Sequence, residues 1–139
     1  MKKLTLMLMV AALAFATSCK KDEDSSNSPA KSKTELITSG SWRVSSLVLG
    51  GTDIWPSQDA CDKDDLSIFK ADGTYIDDEG PTKCDSSDPQ QSTSTWKFMN
   101  NETMLEIDGD VGTIKELSAS KMVLETSDAG LTITITYVK

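Results

Sequence analysis

The chain has 139 residues, 14 basic and 22 acidic side chains, a net charge of −8 and no histidine. That length allows one domain plus a tether. The acidity argues against nucleic acid, whose binding needs Lys and Arg to neutralise phosphates, and against adhesion to anionic lipid through a basic surface, while the lack of histidine excludes Ser-His and Cys-His nucleophile pairs and a histidine-bearing zinc site.

The first element in chain order is a leader. Lys2 and Lys3 form a positive n-region and Leu4 to Phe15 an apolar run; Ala16, Thr17, Ser18 and Cys19 then supply small residues and a cysteine at a cleavage site. The apolar run is too short to span a bilayer. Residues 1–18 are therefore expected to be a lipoprotein signal peptide, with Cys19 as lipid acceptor and a palmitate-type anchor holding the protein to the membrane. Removing Lys2 and Lys3 takes the charge from −8 to −10. Residues 19–33 continue as KKDEDSSNSPAKSK after the cysteine, with no large apolar side chain, and read as a flexible tether.

The folded domain is expected over residues 34–139. Thr34 to Ser39 predicts one or two helical turns, with Thr34 as N-cap, Leu36 and Ile37 on the buried side and Gly40 as the stop. Short strands with regular turn signals follow. Trp42–Leu49 is the first. Trp42 and Val44 share one parity and Leu47 and Leu49 the other, so a bulge near Ser45–Ser46 is expected. Thr52–Trp55 is a short returning segment stopped by Pro56. Asp65–Lys70 and Thr74–Asp78 form a hairpin around Ala71-Asp72-Gly73. A loop-rich stretch leads to Ser92–Met99, with Trp96 and Phe98 on one face. Met104–Asp108, Gly112–Leu117 and Lys121–Thr126 continue the meander. Leu131–Val138 alternates Leu131, Ile133, Ile135 and Tyr137 with Thr132, Thr134, Thr136 and Val138, one buried face and one facing solvent. About eight strands joined by tight hairpins predict an all-β, antiparallel up-and-down barrel, with a sandwich as the alternative. Eight strands enclose an interior that side chains fill or that holds one small ligand.

Cys61 and Cys84 remain as a pair. In an exported, oxidising setting a disulfide is the default, and closing a loop of about 24 residues contributes roughly 3 kcal/mol. Free thiols or a metal site are the alternatives, and the metal lacks histidine partners. Asp62, Asp64, Asp65, Asp77, Asp78 and Glu79 read as solvated turn carboxylates, not a glycosidase pair. Asp108-Gly109-Asp110 and the Asp62–Asp65 run are oxygen-rich, yet neither matches the EF-hand spacing. No metal, no cofactor and no enzymatic activity are expected. Trp42, Phe69, Trp96, Phe98 and Tyr137 are the candidate pocket lining, as core packing or as the wall of an apolar site. Trp55, before Pro56 and near Cys61, either caps a barrel end or contacts a protein or glycan partner.

Several motifs resemble one family. Gly40-Ser41-Trp42 at the start of the first strand is similar to the lipocalin Gly-x-Trp signature. Asp53-Ile54-Trp55, Ala60-Cys61-Asp62-Lys63-Asp64-Asp65, Phe69-Lys70-Ala71-Asp72-Gly73-Thr74-Tyr75, Asp78-Glu79-Gly80, Lys83-Cys84 and Thr95-Trp96-Lys97-Phe98 follow in order. Together they resemble the lipocalin-like domain carried by small lipoproteins of Bacteroidota, over roughly residues 34–139. The resemblance implies a small antiparallel barrel, a Cys61–Cys84 bridge and a small apolar or amphipathic ligand. The chain departs from the wider lipocalin pattern: no helix follows the barrel, and the last strand carries no arginine to cover the tryptophan. Lys20-Lys21-Asp22-Glu23-Asp24, just after Cys19, is similar to the acidic export signal of surface lipoproteins. That implies an outer-membrane lipoprotein, at the cell surface in preference to the periplasmic face.

Overall fold

The computed structural model describes residues 30–139. The leader, Cys19 and most of the tether lie outside the described residues. The first element is a short helix, α1 (Lys33–Thr38). Its N-cap is Ser32, not Thr34. Ser32 and Glu35 form a capping box, each side chain accepting from the other residue's backbone N–H, which satisfies two of the donors a helix start leaves free. Ile37 is its one fully buried side chain.

Nine strands follow among the described residues: β1 (Ser41–Leu49), β2 (Thr52–Asp53), β3 (Leu66–Phe69), β4 (Thr74–Asp78), β5 (Gln91–Met99), β6 (Met104–Ile107), β7 (Asp110–Leu117), β8 (Lys121–Asp128) and β9 (Leu131–Val138). Every pairing is antiparallel. The sheet closes because β1 pairs with β3 at Ser41 and Trp42 and with β9 from Arg43 to Leu49. The result is an eight-stranded barrel, with β2 added beside the end of β1. β5 is the second corner: Gln91–Thr95 pair with β4, and Trp96–Met99 pair with β6. Two strands that change partners midway let a twisted sheet fold back on itself.

The expected bulge is present. Val44 faces Tyr137 and Ser46 faces Thr136, leaving Ser45 as the extra residue. Residues directly opposite share a face, so Leu47 and Leu49, opposite Ile135 and Ile133, point inward with Trp42 and Val44. One inserted residue thus reconciles the two parities in the sequence. A second bulge leaves Lys115 extra between Ile114 and Glu116.

Three elements differ from expectation. The Thr52–Trp55 segment is a strand only at Thr52 and Asp53, with the Ile54 N–H still donating to the Leu47 carbonyl at 2.8 Å, and Trp55–Ser57 is a 3-10 turn, because Pro56 lacks the N–H a strand would need and suits the start of a turn. On β3, Leu66 and Ile68 do share a face, but the buried positions are Ser67 and Phe69. Asp77 and Asp78 are strand residues of β4, not turn residues.

Candidate functional site

The barrel has two unlike halves. The end beneath α1 is closed. Trp42 is fully buried there, and its indole Nε1 donates to the Ile37 carbonyl of α1 at 2.7 Å. The Nζ of Lys139 sits 4.2 Å from the centroid of the Trp42 ring and donates to the Leu36 carbonyl and to Ser39 Oγ. A lysine after β9 therefore covers the tryptophan where the sequence offers no arginine; a cation over an indole face contributes about 0.5–2 kcal/mol. Phe69, Trp96 and Phe98 form a chain of edge-to-face rings with centroids 5.5 and 5.3 Å apart, and Trp96 Nε1 donates to the Lys70 carbonyl. Met122 and Leu105 complete this packed floor.

The opposite half holds a cavity of about 170 Å³. Its walls include Leu105, Ile107, Leu124, Ile135, Tyr137 and Asp110. A cavity of about 150 Å³ takes benzene, while drug-sized ligands need roughly 300 Å³ or more. Of the five aromatics singled out in the sequence, Tyr137 reaches this cavity; Trp42, Phe69, Trp96 and Phe98 pack the closed half. The aliphatic wall was legible only as strand alternation. Gly112 was the sharper signal, since a glycine within a strand often marks a bulge or a close approach. It also lines the cavity, where an added Cβ would meet only ordinary contacts at 3.6 Å.

The other wall is polar. Register places Ser67, Asp77 and Ser92 on one inward row, and Phe69, Tyr75 and Ser94 on the next. Ser67 Oγ and the Tyr75 hydroxyl share a hydrogen bond of 2.8 Å. Burial raises the Tyr75 phenol to about 12, and it pushes the Tyr137 phenol higher still. Asp77 is exposed, yet the surrounding wall partly desolvates its carboxyl, which with nearby Asp78 raises its pKa.

The rim of the open end is stapled. Cys61 and Cys84 form a disulfide, with Cα atoms 5.2 Å apart, joining the loop before β3 to the loop after β4. With Asp62 they make the one cluster of metal-ligating atoms found among the described residues, and its two sulfurs are bonded to each other. Trp55 is half-buried in its 3-10 turn, its backbone N–H donating to Asp53 Oδ1 at 3.0 Å. Gly80 packs on the backbone of Asp64 so closely that a Cβ would overlap its carbonyl, and its φ is +65°. Asp64 and Asp65 each bury one carboxylate oxygen without a partner. Desolvation, reinforced by Glu79 and Asp77, raises Asp65 to about 6.

No curated protein matches the chain. Residues 38–124 match the lipocalin-like domain family, from the end of α1 through the first half of β8. The match covers more than half of the sequence, and the structure is a closed eight-stranded barrel that β9, beyond the matched residues, completes; the chain belongs to the lipocalin-like domain family.

Proposed function

We propose that this protein is an exported, lipid-anchored binding protein, not an enzyme, which holds a small apolar or amphipathic molecule in the open half of its barrel. The observation that carries the reading is the cavity beside Leu105, Ile107, Leu124 and Ile135: apolar space within a barrel is the usual character of a small-molecule site. Its size suits a single ring or a short chain. The anchor would be Cys19, with the acidic, lysine-bearing tether holding the barrel off the membrane at the outer surface of the cell.

The test is native mass spectrometry of the mature protein made from the full-length sequence. A bound adduct of low mass, and a lipid mass on Cys19 that Cys19→Ser abolishes, is the expected result. Gly112→Val supplies the control. Its branched side chain fits an extended strand and projects into the cavity from a position with room at Cβ. We expect the adduct to disappear while the unfolding free energy stays within about 1 kcal/mol of wild type. A bare wild-type protein that refuses small apolar probes would overturn the binding reading and direct attention to the loops around Trp55.

A further inference from the structure

The charges on the strands are sorted by face. Every Lys or Arg on a described strand lies on the outside. Lys97 pairs with Glu106 at 3.0 Å, Lys115 with Glu125 at 3.2 Å and Lys121 with Glu116 at 2.7 Å, while Arg43 is exposed between inward Trp42 and Val44. The lysines of the open-end loops are held by loop carbonyls, Lys63 by Pro56 at 3.1 Å and Lys83 by Asp88 at 2.7 Å. Inward strand positions carry charge of one sign. Asp110, opposite Ile107, lines the cavity itself. Asp77 looks in from the facing wall, and Asp128, opposite Leu131, stands at the rim.

Tyr137 adds an independent observation. It is 8% exposed, lines the same cavity, and has no hydrogen-bond partner for its hydroxyl among the described residues, in contrast to Tyr75, which has Ser67. Its hydroxyl oxygen is not sealed from water, so a molecule held in the cavity can take it as a partner. The cavity thus offers an aliphatic wall for a compact apolar body, a carboxylate at its edge, a second carboxylate across the mouth and a hydroxyl without a partner.

We propose that the open half is selective for an organic ammonium ion: a primary or secondary amine on a single ring or short chain. This rests on the binding reading above and narrows its ligand class. The apolar body lies on Ile107, Leu124 and Ile135, the ammonium donates to the Asp110 carboxylate, and Tyr137 takes the next hydrogen bond. Asp77 adds attraction from the facing wall. An anion of the same shape meets two carboxylates and no cation, which is how a site rejects the wrong partner.

Isothermal titration with three probes of matched size tests this: 2-phenylethylamine, 2-phenylethanol and 3-phenylpropanoate, on the mature protein from the full-length sequence, in enough salt to screen its overall negative charge. The amine should bind roughly tenfold or more tightly than the alcohol, as a charge-assisted hydrogen bond predicts, and the propanoate least of all. Combining Asp77→Asn with Asp110→Asn should bring amine and alcohol together, whereas Asp59→Asn on the exposed rim should leave the preference intact. Equal binding of all three probes by the wild type, or an amine preference that survives the double substitution, overturns the ammonium assignment and leaves the binding reading standing. No binding of any probe by the folded wild type overturns both.

Discussion

Asp65 is a residue whose environment conflicts with its charge. One of its carboxylate oxygens is buried without a partner, and four further carboxylates, Glu79, Asp77, Asp62 and Asp64, raise its proton affinity. The folded protein holds this proton up to about 6, against 3.8 for the ordinary group. Between those values the folded state binds more protons than the unfolded chain, so stability falls as pH rises through that window and grows on acidification. Groups held low by hydrogen bonds, Glu35, Asp72, Asp78 and Asp85, reverse the trend only as pH drops through the ordinary carboxylate range. Thermal unfolding should therefore show a higher midpoint at pH 5 than at pH 7. Asp65→Asn should raise the pH 7 midpoint and remove much of the difference; an unchanged pH profile in that variant would refute the assignment. The position of Asp65 beside a turn was legible in the sequence, but the removal of its carboxylate from water was not, because that depends on the loop carrying Gly80 folding onto Asp64.

Among the elements, the hairpins were the most legible, because turn chemistry is local. The β6–β7 turn carries Asp108 and Gly109 at φ +52° and +92°, and the β8–β9 turn carries Ala129 and Gly130 at +48° and +81°. Two central residues at positive φ match the twist of the flanking strands, and Asn-Gly and Asp-Gly suit them best. Ala129 is the misfit, since an alanine Cβ in the left-handed region costs about 1–2 kcal/mol. Ala129→Asn should stabilise the protein by about 1 kcal/mol in urea unfolding without altering β8–β9 register. The β3–β4 hairpin shows the opposite lesson. Its turn at Asp72-Gly73 was plain, whereas its inward face was not. Alternation reveals two faces and does not say which one the barrel will enclose. Here closure against Trp42 turns Ser67 inward and leaves Leu66 and Ile68 on the outer side, and that choice makes the polar wall.

For the whole molecule, the barrel is a densely packed closed half joined to an open half whose loops are tied by one covalent link. Cys61 and Cys84 are 23 residues apart in sequence, and a loop of that size contributes about 3 kcal/mol by limiting the unfolded chain. Replacing both cysteines by Ser should lower the urea unfolding free energy by about that amount. Hydrogen exchange should rise most in the loops before β3 and after β4, with the Trp42 end protected as before. Uniform loss of protection would mean that the two halves unfold as one.

The linear pattern was enough to determine an antiparallel meander of short strands, the bulge in β1, the tight turns and the two cysteines left to pair, because each depends on neighbours a few residues apart or on composition. It was enough to single out the aromatics, but not their roles. The tertiary structure decided that four of them pack the closed end while Tyr137 reaches the cavity, that Lys139 covers Trp42, and that the inward charges are carboxylates on β4 and β7. Those outcomes follow from barrel closure, which brings together strands distant in sequence and selects one face of each for the interior.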